Sequence, residues 1–266
     1  MDRRAASAKV ETMDTNRTPP QPSRPLDESE PSVLFHLLGM APLDDVAALE
    51  QRLVYEAGEF GGPRAVVLLA EHPPVITIGR EGSAADVRGD DEWRRMGYDV
   101  RLQNRGGGAL VHAPGQLAVY AVVPLALFGF SVGAYLDRLQ AALDGVFDDL
   151  HVARLQRPGR RGVWCRGGQA AFFGVSVKHG IAYRGVFVNV ETERRLVRFA
   201  AGDPVTRTEA TTLSVESRRP IRMTTVRQRV VERLSTALGC ERYHLVTGHP
   251  RLARTYVSPE GIPRVG

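Results

Sequence analysis

Arg105-Gly106-Gly107-Gly108-Ala109-Leu110-Val111-His112-Ala113-Pro114-Gly115-Gln116-Leu117 is the most informative stretch of this chain. Three consecutive glycines let the backbone turn through conformations closed to other residues and approach a ligand closely. Their N–H groups can form a concave surface for an anion or a carbonyl oxygen. Arg105 offers a fixed charge at the entrance of such a surface, and His112 a donor or acceptor on its far side. A bare triple glycine reads better as a hairpin turn with a surface arginine. The combination Arg-Gly-Gly, then His, then Pro-Gly-Gln is far more specific.

Outward from this loop, apolar runs predict strands over Val33–Leu38, Ala65–Ala70, Val75–Ile78, Val100–Gln103 and Leu117–Pro124. His72-Pro73-Pro74 separates the second from the third. Helical spacing places Val46, Leu49, Leu53 and Val54 on one face of Leu43–Glu56, with Asp44 and Asp45 suited to its first turn. Val132–Leu150 puts Tyr135, Leu136, Leu139, Leu143 and Val146 on a core face. Asp91–Met96 reads as a short helix, 162–190 as a hairpin-like β region, Thr225–Leu238 as the last long helix and Tyr243–Val246 as a strand. Strands and helices mix without the regular β-α-β alternation of a doubly wound sheet, so the expected class is α+β. No internal repeat is visible.

The 266 residues are 43% hydrophobic and 24% charged, the balance of a soluble globular protein. Residues 1–31 are rich in Pro, Arg, Ser, Thr, Asp and Glu, and read as a disordered N-terminal tail because they cannot bury enough surface to offset chain entropy. The folded domain is expected over 32–248, with a polar C-terminal tail over 249–266. No secretory signal or membrane span is recognised, and two separated cysteines, Cys165 and Cys240, give no metal-ligand spacing, so a reduced, cytoplasmic setting without metal or other cofactor is expected. The net charge of +5 fits either a well-solvated arginine-rich surface or a docking face for an acidic partner. Without aromatic-interleaved basic runs or zinc spacing, nucleic acid is not expected as a partner.

The 105–117 stretch resembles the signature of the octanoyl-carrier-protein:protein octanoyltransferases of lipoate biosynthesis, close to Arg-Gly-Gly-x-x-x-x-His-Gly-Pro-Gly-Gln, with Ala113 in place of a glycine. Pro74–Arg80 is similar to the family's strand ending in Thr-x-Gly-Arg, Arg161–Trp164 to its Thr-Gly-Val-Trp, and Thr211-Thr212-Leu213 to its Thr-Ser-Leu. These matches span roughly Val33 to Thr247 in the right order. The resemblance implies a fold shared with biotin and lipoate protein ligases: a mixed sheet flanked by helices around an acyl-binding tunnel. It implies that Arg105, Gly106, Gly107, Gly108, Ala109, Leu110, Val111 and His112 line the octanoyl cavity. Phe172, Phe173 and Gly174 would form a second wall, and Gly185, Val186 and Phe187 a third, although aromatics on an alternating strand are also ordinary core residues. The implied partners are an octanoyl-loaded acyl carrier protein and lipoyl domains.

The family reaction passes the acyl group from carrier to a cysteine and then to a target lysine, with a lysine beside the thiol. Counting from Phe199 places Val205 at the cysteine position, and counting back from Gly174 places Gln169 at the lysine position. Arg184 stands where the family has histidine before Gly185. Valine has no nucleophilic atom and glutamine exchanges no proton near neutrality. The expectation is therefore a family member with impaired catalysis. The alternatives are a relocated nucleophile at Cys165, with Lys178 and His179 nearby in sequence, and an ATP-dependent lipoyl-type ligase. Cys240, at the end of a helix, is set aside.

Overall fold

The computed structural model describes residues 31–59, 61, 64–89, 92–200, 209–240 and 242–252, together with the backbone of 255–257 and 263–265. The chain begins with β1 (Ser32–Met40), α1 (Leu43–Glu59), β2 (Arg64–Glu71), β3 (Val75–Ile78), α2 (Glu92–Arg95) and β4 (Asp99–Leu102). β5 (Ala109–His112), β6 (Gln116–Pro124) and α3 (Val132–Asp149) follow. The hairpin region resolves into β7 (Val163–Cys165), β8 (Gly168–Phe173), β9 (Ser176–Lys178), β10 (Ile181–Tyr183) and β11 (Gly185–Asn189). Last come α4 (Arg194–Val197), α5 (Leu213–Ser217), α6 (Met223–Ala237), β12 (Tyr243–Thr247), β13 (Thr255–Val257) and β14 (Pro263–Val265).

The main sheet runs β12-β1-β2-β6-β11-β8-β7, with β10 attached to β6 and β9 to β10. Its β12, β1 and β2 are parallel, and the β2–β6, β6–β11, β11–β8 and β8–β7 pairs are antiparallel, so the sheet is mixed. A smaller sheet, β4-β3-β5, carries the glycine-rich loop between its β4 and β5 strands. The α+β class and the mixed, helix-flanked sheet are as expected.

Side-chain alternation sends the two faces of the main sheet into different cores. Leu117, Val119, Ala121 and Val123 of β6 face α3 and α6, packing with Tyr135, Leu139, Leu143, Val226, Val230 and Leu234. Ala118 and Tyr120 face the other way, with Val46 and Leu49 of α1, Leu68, Leu110, Phe172 and Phe187. The second core is the one that meets the glycine-rich loop.

The predicted long helices and buried strands are present, with ends shifted by up to about three residues. Ala109–His112, read as part of a loop, is instead a fully buried strand paired antiparallel with β3. α4 and α5 were not anticipated. Within the segment read as a polar C-terminal tail, β13 and β14 pair antiparallel. The predicted N-terminal tail lies outside the described residues, except for Pro31. No helix among the described residues is long and apolar enough to cross a membrane.

Candidate functional site

The glycine-rich loop is stitched to the turn after β3. The amides of Gly79, Arg80 and Glu81 donate to the carbonyls of Gly108, Arg105 and Gly107 at 3.1, 2.9 and 3.2 Å. The fit tolerates no side chain: a Cβ on Gly79 would lie 2.3 Å from the Gly107 carbonyl oxygen. Gly107 has φ +77° and lies so close to β8 that a Cβ would be 3.0 Å from the Phe173 oxygen. Its N–H, expected from sequence to face an anion or carbonyl ligand, donates to Glu81 Oε1 at 3.2 Å. The glycines serve close packing of backbone on backbone here.

Arg105 is not at the entrance, as its charge suggested, but 1% exposed. Its guanidinium is held by neutral acceptors: Nη2 donates to the Thr77 carbonyl and hydroxyl oxygens at 2.9 and 2.7 Å, Nε to the same hydroxyl at 3.2 Å, and Nη1 to the Gly106 oxygen at 2.9 Å. The cation also lies 5.8 Å from the centre of the Phe187 ring. Burial pulls the guanidinium down to about 9, because removal from water penalises the charged form.

From Arg105 a buried polar relay crosses the site. Gln116 Nε2 donates to the Val111 oxygen and to Asn189 Oδ1 at 2.7 and 2.8 Å. The Gln116 oxygen therefore faces His112 Nδ1, 2.7 Å away, which must carry the hydrogen. His112 Nε2 then accepts from the Thr77 hydroxyl at 2.8 Å. Asn189 Nδ2 continues the chain to the Thr211 oxygen at 3.1 Å. Burial first, then the charges of His72 and Arg105, hold His112 well below its ordinary value. It is a neutral link in a satisfied network rather than a free proton carrier. His72 lies beside it, Nδ1 donating to the Ala41 oxygen at 2.7 Å and Nε2 accepting from Tyr120 at 2.8 Å; burial lowers it to about 4.

Against this relay lies a small cleft, partly open to solvent, with a free volume of about 10 Å3. Ala109, Leu110, Val111 and Phe172 line it together with Val197, Ala200 and Ala210, and Gln116 and Asn189 add two amides. That volume is room for about one water molecule, so the cleft takes an alkyl chain only if its lining side chains move apart. The expected walls are only partly brought together here. Phe187 packs edge-on against His112, with ring centres 4.9 Å apart. Phe173 and Val186 pack into the α3–α6 core. Gly174 and Gly185 are joined by their backbones, the Gly174 amide donating to the Gly185 oxygen at 2.7 Å.

Gln169, which the resemblance matched to the family's lysine, is 3% exposed on β8. Its Nε2 folds back onto the Ala171 oxygen at 3.0 Å, and its Oε1 is buried without a hydrogen-bond partner. Its backbone pairs with the segment that follows 201–208, the amide donating to the Glu209 oxygen at 2.8 Å and the carbonyl accepting from Thr211 at 3.0 Å. Val205 itself lies outside the described residues. Cys165 is buried in the α3–α6 core, and burial pushes its thiol up to about 12, with Glu216 adding to the rise. Lys178 and His179 are exposed on β9 and in the turn after it. Thr77, Gln116, Asn189 and Glu50 were not singled out from sequence. Thr77 and Gln116 carried a signal, as polar residues inside the two motifs quoted for the resemblance.

The model of the lipoyl protein ligase A/B catalytic domain matches residues 43–235. An octanoyltransferase of Geobacter metallireducens is 33% identical over 215 residues, covering 80% of this chain and 97% of the relative. One of Geotalea uraniireducens is 36% identical over 180 residues, covering 65% and 80%. Among solved structures, a lipoate-protein ligase A bound with ATP superposes with a TM-score of 0.65 at 14% identity, covering 84% of this chain and 91% of that one. A putative lipoate protein ligase from T. acidophilum with bound lipoic acid gives 0.64 at 13%, over the same shares. The structural matches share the fold.

Proposed function

Because the chain belongs to the lipoyl protein ligase A/B catalytic-domain family, among relatives that are octanoyltransferases, we propose that it binds an octanoyl group on a carrier protein without forming the covalent acyl intermediate. The observation that carries this reading is Gln169. The position that holds the family's lysine carries an amide, buried and turned onto its own strand, and the paired cysteine position is Val205. An amide neither lowers a thiol's pKa nor relays a proton. An alkyl chain seated among the apolar residues beside the relay would gain up to about 0.8 kcal/mol per methylene removed from water, once Leu110, Val111 and Phe172 part to admit it. Octanoyl-loaded acyl carrier protein is the proposed ligand, and lipoyl domains are the family's acceptors.

A relocated nucleophile at Cys165 draws no support from its surroundings. A thiol pushed to about 12 is almost entirely protonated at neutral pH, and the thiolate is the attacking species. The test is titration calorimetry with octanoyl-loaded and unloaded carrier, followed by a transfer assay to a lipoyl domain with and without ATP. Preferential binding of the loaded carrier with no transfer is expected. ATP-independent transfer at a turnover rate would overturn the reading in favour of an active transferase, and ATP-dependent transfer in favour of a ligase.

A further inference from the structure

Arg184 departs from the family pattern, and its surroundings suggest what the departure does. It is 5% exposed and has φ +58°, a backbone conformation uncommon outside glycine. Such a residue persists only where its neighbours fix it. Its amide donates to Glu50 Oε1, and Nη1 lies 2.8 Å from Glu50 Oε2 without a hydrogen bond, so a carboxylate that is 0% exposed on α1 faces this one residue through both oxygens. The Arg184 oxygen accepts from the Ala121 amide at 2.8 Å. Nη2 reaches in the other direction, to Gln103 Oε1 at 2.7 Å. Gln103 follows β4; its amide donates to the Ile78 oxygen and its oxygen accepts from the Arg105 amide, at 2.9 and 2.8 Å. The next residue after Arg184 is Gly185, whose oxygen receives the Gly174 amide.

We propose that Arg184, anchored by Glu50, is a positioning residue that fixes the Gln103–Gly108 loop relative to the Gly174–Gly185 wall, and so sets the mouth of the acyl site. The inference rests on the octanoyl-binding reading for its purpose, though not for its geometry. A guanidinium suits this role because its planar fork can hold a carboxylate with one arm and an amide oxygen with another, whereas an ammonium is a point charge. Arg184→Lys therefore keeps the charge opposite Glu50 and gives up the reach to Gln103. Gln103→Leu cuts the same link from the other end, leaving the Arg184–Glu50 contacts in place.

The experiment is amide hydrogen exchange on the full chain, wild type against Arg184→Lys and Gln103→Leu, combined with calorimetric binding of octanoyl-loaded carrier. Exchange at Gly79, Arg80, Glu81 and Arg105, whose amides hold the loop, is expected to speed up at least tenfold in both variants. Exchange in β1 and β2 is expected to stay unchanged, which a general loss of stability would not leave so. Binding should weaken at least fivefold in both. Unchanged loop exchange in Gln103→Leu, or faster exchange spread evenly through the sheet, would overturn the clamp. If the wild type itself fails to bind the loaded carrier, the octanoyl-binding reading fails, while the exchange result still decides whether the clamp exists.

Discussion

The relay from Arg105 to Thr211 and the side chain of Gln169 lie close together in the fold and obey opposite rules. Along the relay, every side chain from Arg105 through Thr77, His112 and Gln116 to Asn189 has a partner. A short way off, the Gln169 amide oxygen is buried with none. Leaving a buried polar group unpaired costs about 1–3 kcal/mol, so natural structures keep few of them. The relay is a scaffold whose polar groups are all used in holding shape. On the proposed reading, Gln169 stands where the family keeps its lysine, and the contrast is between a binding scaffold and a position without catalytic chemistry.

The contrast breaks first at Gln116. Gln116→Leu removes the partners of His112 Nδ1, the Val111 oxygen and Asn189 Oδ1 at once, and should cost roughly 3–5 kcal/mol in denaturant unfolding; a loss under about 1 kcal/mol would show that the relay is not a structural unit. Thr77→Val, nearly the same shape, strips a shared acceptor from Arg105 and the donor to His112, for about 2 kcal/mol on the same measurement.

The pH dependence sharpens the comparison further. His72 and His112 titrate below their ordinary range in the folded state, so between about pH 4.5 and 6.5 the unfolded chain takes up two protons that the folded one refuses. Stability falls with falling pH on their account. Burial pushes Glu50 up to about 7, against the opposing pull of Arg184. In the same window the folded chain holds a proton on Glu50 that the unfolded chain has released, which stabilises the fold as pH falls and is lost as pH rises through 7. The net for these three groups is one proton, or about 1.4 kcal/mol per pH unit. Glu50→Gln removes the opposing group, and the slope should steepen to about 2.7 kcal/mol per pH unit. Equal slopes in urea titrations of the two proteins would contradict the assignment.

The smallest effect is expected at Gln169. Gln169→Leu replaces an amide that satisfies one of its two ends, and the change in stability should stay within about 1 kcal/mol of zero. A cost like that of Gln116→Leu would place Gln169 among the structural groups and erase the contrast.

Much of the fold was legible because its period was: Val46, Leu49 and Leu53 on α1, and the apolar runs of β2, β3 and β6, point to their partners through burial alone. β5 was hidden because its four residues lie between three glycines and Ala113-Pro114-Gly115, punctuation that reads as loop. α4 and α5 are too short for helical spacing to show. The loop's importance was visible in its residues, yet Arg105 was placed wrongly, since charge argues for exposure unless one knows that Thr77 waits inside with three acceptor contacts. Glu50 was invisible for the same reason: on α1 it reads as a solvated carboxylate, and only the return of the chain at Arg184, 134 positions later, buries it. Pairings of that range leave no local pattern in sequence.

Intact mass after incubation with octanoyl-loaded carrier tests the central claim most directly, comparing wild type with a Gln169→Lys, Val205→Cys double variant. The wild type should keep its mass while the double variant gains one octanoyl group. An octanoyl adduct on the wild-type chain would contradict the account.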